Sequence, residues 1–246
     1  MLQAVVFDFY NTLAESPESR PHWEQILGEL GYSVPAEVRD TWWNDGIDGT
    51  EHDEHSVSRD HYVAWQHMRV RNALGRCGVP DDVHDEVVTR MRAATPSGGM
   101  DAYDEVGDVL AELRARGLTL AICSNWDWDL HEALAAAGLT GVVDVVVSSA
   151  WVGARKPHPR IYAHTLAALE IDPEHVLFVG DTWSCDVDGP LAAGMQSIYL
   201  RRDHLGDDLT APGPDDRARP GVTPARDLHA VLEVVDARGA LDATQR

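Results

Sequence analysis

The chain has 246 residues, of which 44% are hydrophobic, enough for a buried core and against intrinsic disorder; no apolar run reaches the ~18–20 residues that a bilayer span needs. Its 41 acidic against 20 basic residues leave a formal charge of −21, a field that repels nucleic-acid backbones and anionic membranes, so a site for an anionic small-molecule substrate must supply its own cations. Cys77, Cys123 and Cys185 form no Cys-x-x-Cys pair and are too few for a disulfide framework, which makes a reducing cytoplasm the expected compartment.

Residues 3–8, QAVVFD, are a short apolar run closing on a polar cluster, the pattern of a buried parallel strand. No basic segment precedes it, so it does not read as a signal peptide. From about Arg20 to Ala94 the pattern turns helical. WEQILGELG, AEVRDTWW, HYVAWQHMRVRNAL and DDVHDEVVTRMRAA space their apolar residues three and four apart, and Pro80 ahead of Asp81 and Asp82 reads as a helix start. The Pro-Ser-Gly-Gly run at 96–99 reads as a hinge.

Beyond it, helices and strands alternate. A helix over 104–116 ends at Gly117, followed by the strand LTLAICS, the helix DWDLHEALAAAG, the strand DVVVSS and the helix PRIYAHTLAALE. The strand HVLFVGD, the helix DVDGPLAAG and the strand QSIYL complete the series, with a loop over 203–223 and a last helix over 225–238. Such alternation implies parallel pairing through right-handed crossovers. The expected fold is α/β: a doubly wound parallel core from residues 1–14 and 97–246, with an all-helical cap inserted over 15–96. Ligands of such sheets sit beyond the carboxyl ends of the strands.

Those ends carry the candidate chemistry. The first strand runs into Asp8-Phe9-Tyr10-Asn11-Thr12-Leu13, the next into Ser124-Asn125, Lys156-Pro157 follows a third, and Gly180-Asp181 ends a fourth with Asp186 five residues on. A carboxylate such as Asp8 can attack phosphorus or carbon and divide one hard step into two. The hydroxyls of Thr12 and Ser124, beside Asn125, suit a phosphoryl oxygen, together with the backbone N–H groups of the loop after Asp8. Lys156 supplies a point charge that neutralises the transferred group. Asp8, Asp181 and Asp186 would gather three carboxylates, an arrangement that asks for a cation, and hard oxygen donors suit Mg²⁺.

In this order the four segments resemble the motifs of the haloacid dehalogenase superfamily, in its subgroup with a helical cap between the first two motifs. The resemblance covers the Rossmann-like core from Gln3 to about Leu200, and RKPHPRIY through VGDTWSCDVDGPLAAGM resembles the phosphatase-like branch. It implies a soluble Mg²⁺-dependent hydrolase with Asp8 as covalent nucleophile, and metal ligands Asp8, the backbone carbonyl of Tyr10, Asp181 and Asp186. Of the last two, Asp181 is taken as the direct ligand.

Tyr10 departs from that branch, whose first motif carries a second Asp at this position to protonate the leaving oxygen and then activate water. A phenol releases its proton far less readily than a carboxylic acid. Asp-x-Tyr matches the 2-haloacid dehalogenases instead, which displace halide without a metal. Asp181 argues the other way, because an extra carboxylate would repel a haloacid. The leading expectation is a phosphatase acting on a small phosphate ester; the alternatives are a metal-independent dehalogenase and a catalytically weak protein that binds a ligand or partner. A dehalogenase would also want a cap arginine, for which Arg20 and Arg39 are available.

His52-Asp53-Glu54-His55, with His61 and His67, keeps no recognisable metal spacing and reads as a solvated cap loop. Trp42, Trp43, Trp65, Trp126, Trp128, Trp151 and Trp183 read mostly as packing, although Trp126, Trp128 and Trp183 follow motif residues and are candidates to face the cleft. Cys185 has no histidine placed to activate it and reads as structural. The Ser-Gly-Gly at 97–99 and the segment after Leu13 are the chain crossings and the expected hinges of a closing cap.

Overall fold

The computed structural model describes residues 1–16, 23–39, 47–94, 99–213, 217 and 219–244. Its strands are β1 (Ala4–Phe7), β2 (Ala14–Glu15), β3 (Asp101–Ala102), β4 (Thr119–Ser124), β5 (Val145–Ser148), β6 (Val176–Gly180), β7 (Gln196–Leu200) and β8 (Val222–Ala225). Six of them form one sheet in the order β5-β4-β1-β6-β7-β8, with every neighbouring pair parallel. The short β2 and β3 pair antiparallel, so the two chain crossings between core and insertion are hydrogen-bonded to each other.

The strand sequences explain the layering. Side chains alternate between faces along a strand, and these strands are apolar at consecutive positions, so both faces are buried. Val5, Phe7, Leu120, Ile122, Leu177 and Val179 join one core. Ala4, Val6, Ala121, Cys123, Val176 and Phe178 join a second core on the opposite face. Helices α5 (Val106–Ala115), α6 (Leu130–Ala136) and α10 (His229–Thr244) cover the first face, and α8 (Pro159–Leu169) covers the second. The core also carries the single turns α7 (Ser149–Val152) and α9 (Gly189–Ala192). This is the doubly wound arrangement the alternating pattern predicts.

The insertion folds around its own apolar cluster. Helices α1 (Trp23–Glu29), α2 (Ala36–Arg39), α3 (Arg59–Arg76) and α4 (His84–Ala94) contribute Trp23, Leu27, Val38, Leu74, Val87 and Met91 to it. Pro80 leads into a 3-10 turn, Asp81–Val83, that feeds α4. The helix expected over AEVRDTWW is described only to Arg39; Trp42, Trp43, Arg20, Ser97 and Gly98 lie outside the described residues. Among the described residues no helix is long and apolar enough to cross a membrane.

Three expectations are corrected. The segment 203–223 is not loop to its end: Val222–Ala225 adds β8 beside β7, and the last helix starts at His229 and runs to Thr244 rather than spanning 225–238. Pro224 is compatible with β8 because β8 is an edge strand, where a missing N–H costs no ladder bond. The helix expected over DVDGPLAAG begins earlier, as a wide π-helical turn at Trp183–Asp188, and continues as α9.

That wide turn folds Asp186 back onto β6. A Cβ built on Gly180 would lie 2.3 Å from Asp186 Cγ, so only glycine leaves room for the carboxyl. Gly180→Ala is expected to cost about 1–3 kcal/mol of stability as an overpacking substitution, measured by urea denaturation; wild-type stability in this variant would mean that Asp186 does not pack against the strand.

Candidate active site

Because the sheet is parallel, the residues following β1, β4 and β6 emerge along one edge. The Asp8 N–H donates to the Val179 carbonyl at 2.8 Å, which holds the residue after β1 beside the end of β6. The loop beyond is tight: Leu13 and Ala14 N–H groups both donate to the Phe9 carbonyl, and Asn11 N–H donates to the Ala14 carbonyl. Asn11 has φ 59°, a left-handed conformation that asparagine tolerates. From there its Nδ2 lies 3.4 Å from Asp181 Oδ2. Arg202 supports the same loop from behind, donating to the Thr12 carbonyl at 2.9 Å.

Lys156 is the centre of the constellation. Only 2% exposed, its Nζ donates to Asp8 Oδ1 at 2.8 Å and to Asp186 Oδ1 at 2.6 Å. The Asp186 Oδ2 accepts the Thr182 N–H at 2.9 Å, so both of its oxygens are engaged. Burial works against the Lys156 charge, but Asp186 and Asp8 more than offset it and hold the ammonium well above its ordinary pKa. Asn125 fixes the backbone beneath it: Lys156 N–H donates to Asn125 Oδ1 at 2.6 Å, and Asn125 Nδ2 donates to the Lys156 carbonyl at 2.9 Å.

Asp181 is 6% exposed and receives weaker support. Arg201 Nη1 and Asn11 Nδ2 each lie 3.4 Å from its Oδ2. Burial, then repulsion from Asp8 and Asp186, pushes its pKa up to about 8. Burial also raises Asp186, against the pull of Lys156. Asp8, Asp181 and Asp186 each bring a carboxylate oxygen within 4.8 Å of the others. Lys156 and the longer contact from Arg201 leave one of the three carboxylates without a cation of its own, and the donors are all hard oxygens, so the cluster fits a hard divalent cation.

The other sequence candidates fall around this centre. Ser124 is buried at the end of β4. The Thr12 hydroxyl is buried without a hydrogen-bond partner. Tyr10 is not buried with the carboxylates: its side chain is 40% exposed, with its ring centroid 6.3 Å from that of Trp126. Trp126 in turn packs edge-on against Phe9. Cys185 is buried and burial raises its pKa, consistent with an inert thiol.

Two further corrections concern aromatic residues. Trp183, a candidate to face the cleft, is buried against Tyr199 at 5.0 Å instead. His52 is not in a solvated loop: it is 4% exposed, stacked on Trp65 at 4.9 Å, and burial, then Arg155, lowers its pKa to about 4. Stacking on an indole gives a neutral imidazole a buried place that a run of charged neighbours disguises in the sequence. His55 stacks on the same indole, while Arg39 pairs with Glu24.

Sequence reasoning missed Asn11, Asp48 and Arg155. Asp48 Oδ1 accepts from Arg155 Nε at 2.8 Å and from Asn125 Nδ2 at 3.2 Å. Arg155 was traceable through its adjacency to Lys156; a single Asp in a glycine-flanked turn carries no such signal.

The chain is similar in sequence and in fold to known proteins. The family model for haloacid dehalogenase-like hydrolases matches residues 2–194. The chain is 40% identical over 101 residues to the phosphoserine phosphatase of Thermus thermophilus, a match over 41% of each chain, and so spans about two fifths of that relative's length. It is 27% identical over 213 residues, 81% of each chain, to the phosphoglycolate phosphatase of Shigella boydii. Among solved structures, the L-2-haloacid dehalogenase of Xanthobacter autotrophicus superposes with a TM-score of 0.62 at 25% identity, over 96% of this chain and 99% of that one.

The electrostatics of Asp181 are testable in chelated protein. An acid whose pKa rises from 3.8 to about 8 on folding carries no penalty below its unfolded pKa and the whole penalty above its folded one, so stability falls as pH rises through that window. Asp181→Asn keeps an acceptor oxygen without the charge. In EDTA it is expected to match wild type near pH 4 and to exceed it by on the order of 1 kcal/mol or more above pH 8, read from urea denaturation at several pH values; equal stability at every pH would mean that Asp181 feels no net repulsion.

Proposed function

This chain belongs to the haloacid dehalogenase-like hydrolases, and we propose that within that family it hydrolyses a small-molecule phosphate ester through a covalent aspartyl-phosphate on Asp8, with Mg²⁺ as its cofactor. The observation that carries this reading is the buried set of Asp8, Asp181 and Asp186 around Lys156. Displacement of halide has no use for Asp181, whereas phosphoryl transfer uses positive charge wherever negative charge gathers on the phosphoryl oxygens. The phosphatase relatives are in accord with it. The free, buried thiols of Cys77, Cys123 and Cys185 suit a reducing cytoplasm.

In this reading Asp8 attacks phosphorus through the oxygen that Lys156 does not hold, and the bond to the leaving oxygen breaks as the new P–O bond forms. Lys156 holds Asp8 in place through its ammonium. The hydroxyls of Thr12 and Ser124 donate to the phosphoryl oxygens; the unsatisfied Thr12 hydroxyl is suited to that task. Water then attacks phosphorus, releasing inorganic phosphate and restoring Asp8. Asp8, Asp181 and the Tyr10 carbonyl would hold Mg²⁺, with Asp186 behind them, anchored to Lys156 and the Thr182 N–H. When bound, the ion supplies Lewis-acid stabilisation of phosphoryl charge.

The second reading, a metal-independent 2-haloacid dehalogenase, is favoured by Tyr10. The two separate on one panel: phosphate esters, acyl phosphates and 2-haloacids with and without Mg²⁺. Phosphate release that Mg²⁺ stimulates and EDTA abolishes is the expected outcome; halide release indifferent to EDTA contradicts it.

Tyr10 also sets an expectation for leaving groups. Its partly exposed side chain stands where the relatives of the phosphatase branch would hold a proton-donating carboxyl, and a positioned general acid is worth about 10²–10⁴ in rate. Wild type should be slow on alkyl phosphates and faster on aryl and acyl phosphates, whose leaving groups depart as stable anions. Tyr10→Asp should raise alkyl phosphate turnover. A leaving-group series on both proteins measures this: a steep dependence in wild type, flattened in the variant, is expected, and equally flat dependence in both would place the proton donor elsewhere.

A further inference from the structure

The segment Asp48–His52 of the insertion lies along the loop that carries Lys156, and backbone bonds join the two. Gly49 N–H donates to the Lys156 carbonyl at 3.2 Å, Arg155 N–H to the Thr50 carbonyl at 3.2 Å, and His52 N–H to the Gly153 carbonyl at 2.7 Å. Glu51 forms an isolated antiparallel bridge with Ala154. The approach is close enough to require glycine at 153, where a Cβ would lie 2.5 Å from the Asp53 Cα.

Side chains extend this contact to the reacting centre. The single oxygen Asp48 Oδ1 accepts from both Arg155 Nε and Asn125 Nδ2. Asn125 uses its whole amide to clamp the Lys156 backbone, and Lys156 Nζ touches Asp8. The insertion is therefore connected to the nucleophile by a continuous path, Asp48–Asn125–Lys156–Asp8, with Arg155 as the buried counter-charge of Asp48.

We propose that Asp48 is a positioning residue for the reaction: by fixing the Asn125 amide and the Arg155–Lys156 backbone from the insertion side, it sets the placement of the Lys156 ammonium against Asp8. The inference rests on the reading of Lys156 as the cation that orders the nucleophile. It makes the seating of the insertion on the core a condition for a competent site, since withdrawing residues 48–52 removes Asp48 Oδ1, which shares the Asn125 Nδ2 donor with the Lys156 carbonyl.

Asp48→Ala and Asp48→Asn test this in the full-length protein. Asparagine keeps an oxygen for both donors; alanine keeps none. With p-nitrophenyl phosphate and saturating Mg²⁺, Asp48→Ala is expected to lower kcat roughly tenfold or more with KM within about threefold, and Asp48→Asn to retain most of the rate, since small misplacements of a reacting group are costly. Amide exchange over residues 153–158 should accelerate in Asp48→Ala and stay near wild type in Asp48→Asn. That second arm needs no substrate, so it decides the proposal even if wild type proves not to hydrolyse phosphate esters. If the stranded Arg155 prevents Asp48→Ala from folding, Asp48→Ala/Arg155→Met removes both charges and carries the same expectation. Unchanged kcat, a loss confined to KM, or unchanged exchange over 153–158 would overturn the assignment.

Discussion

The buried Lys156 ammonium, 2.8 Å from Asp8 and 2.6 Å from Asp186, is the constraint around which the rest is arranged. A charge that far from water persists only when paired, and the pairing fixes two carboxylates that belong to different strand ends. Gly180 is needed so that Asp186 can reach it, the wide turn Trp183–Asp188 aims it, and Asn125 holds the lysine backbone. Lys156 leaves Asp181 to its own weak supports, Asn11 and Arg201. The result is a site balanced on one side and rich in carboxylate on the other, which is where the proposed divalent cation would be held.

The fold supplies this arrangement at small local cost. In a parallel sheet every strand delivers its next residue to the same edge, so Asp8, Asn125 and Asp181 converge without unusual backbone except at Asn11. The insertion departs between β1 and β3, its crossings tied by the short β2–β3 pair, and returns at residues 48–52 to the loop of Lys156. Stability of that contact and competence of the site are linked through the same atoms.

Much of this was legible in the sequence because burial on both faces leaves uninterrupted apolar strands, such as AVVF and VLFVG, that end abruptly in polar residues. Asp8 and Asp181 stood at those ends, with Lys156 in the loop after a further strand and Asp186 five residues past Asp181, and the structure brings the four together. What escaped was less regular. Val222–Ala225 carries a proline and lies at the edge, where neither face imposes an apolar run. His52 is buried by stacking on Trp65 rather than by any apolar pattern. Asp48 is separated from its partners Asn125 and Arg155 by long stretches of chain, so only the three-dimensional contact distinguishes it from any acidic turn residue.

In the proposed reaction Asp8 would take the phosphoryl group covalently. Acid quenching during steady-state turnover of an aryl phosphate in Mg²⁺, followed by mass spectrometry of the intact chain and its peptides, measures it directly. The expected result is a phosphoryl adduct confined to the peptide bearing Asp8, absent in Asp8→Asn and absent when EDTA replaces Mg²⁺. Continued phosphate release by Asp8→Asn, or turnover with the adduct on another residue, would contradict it.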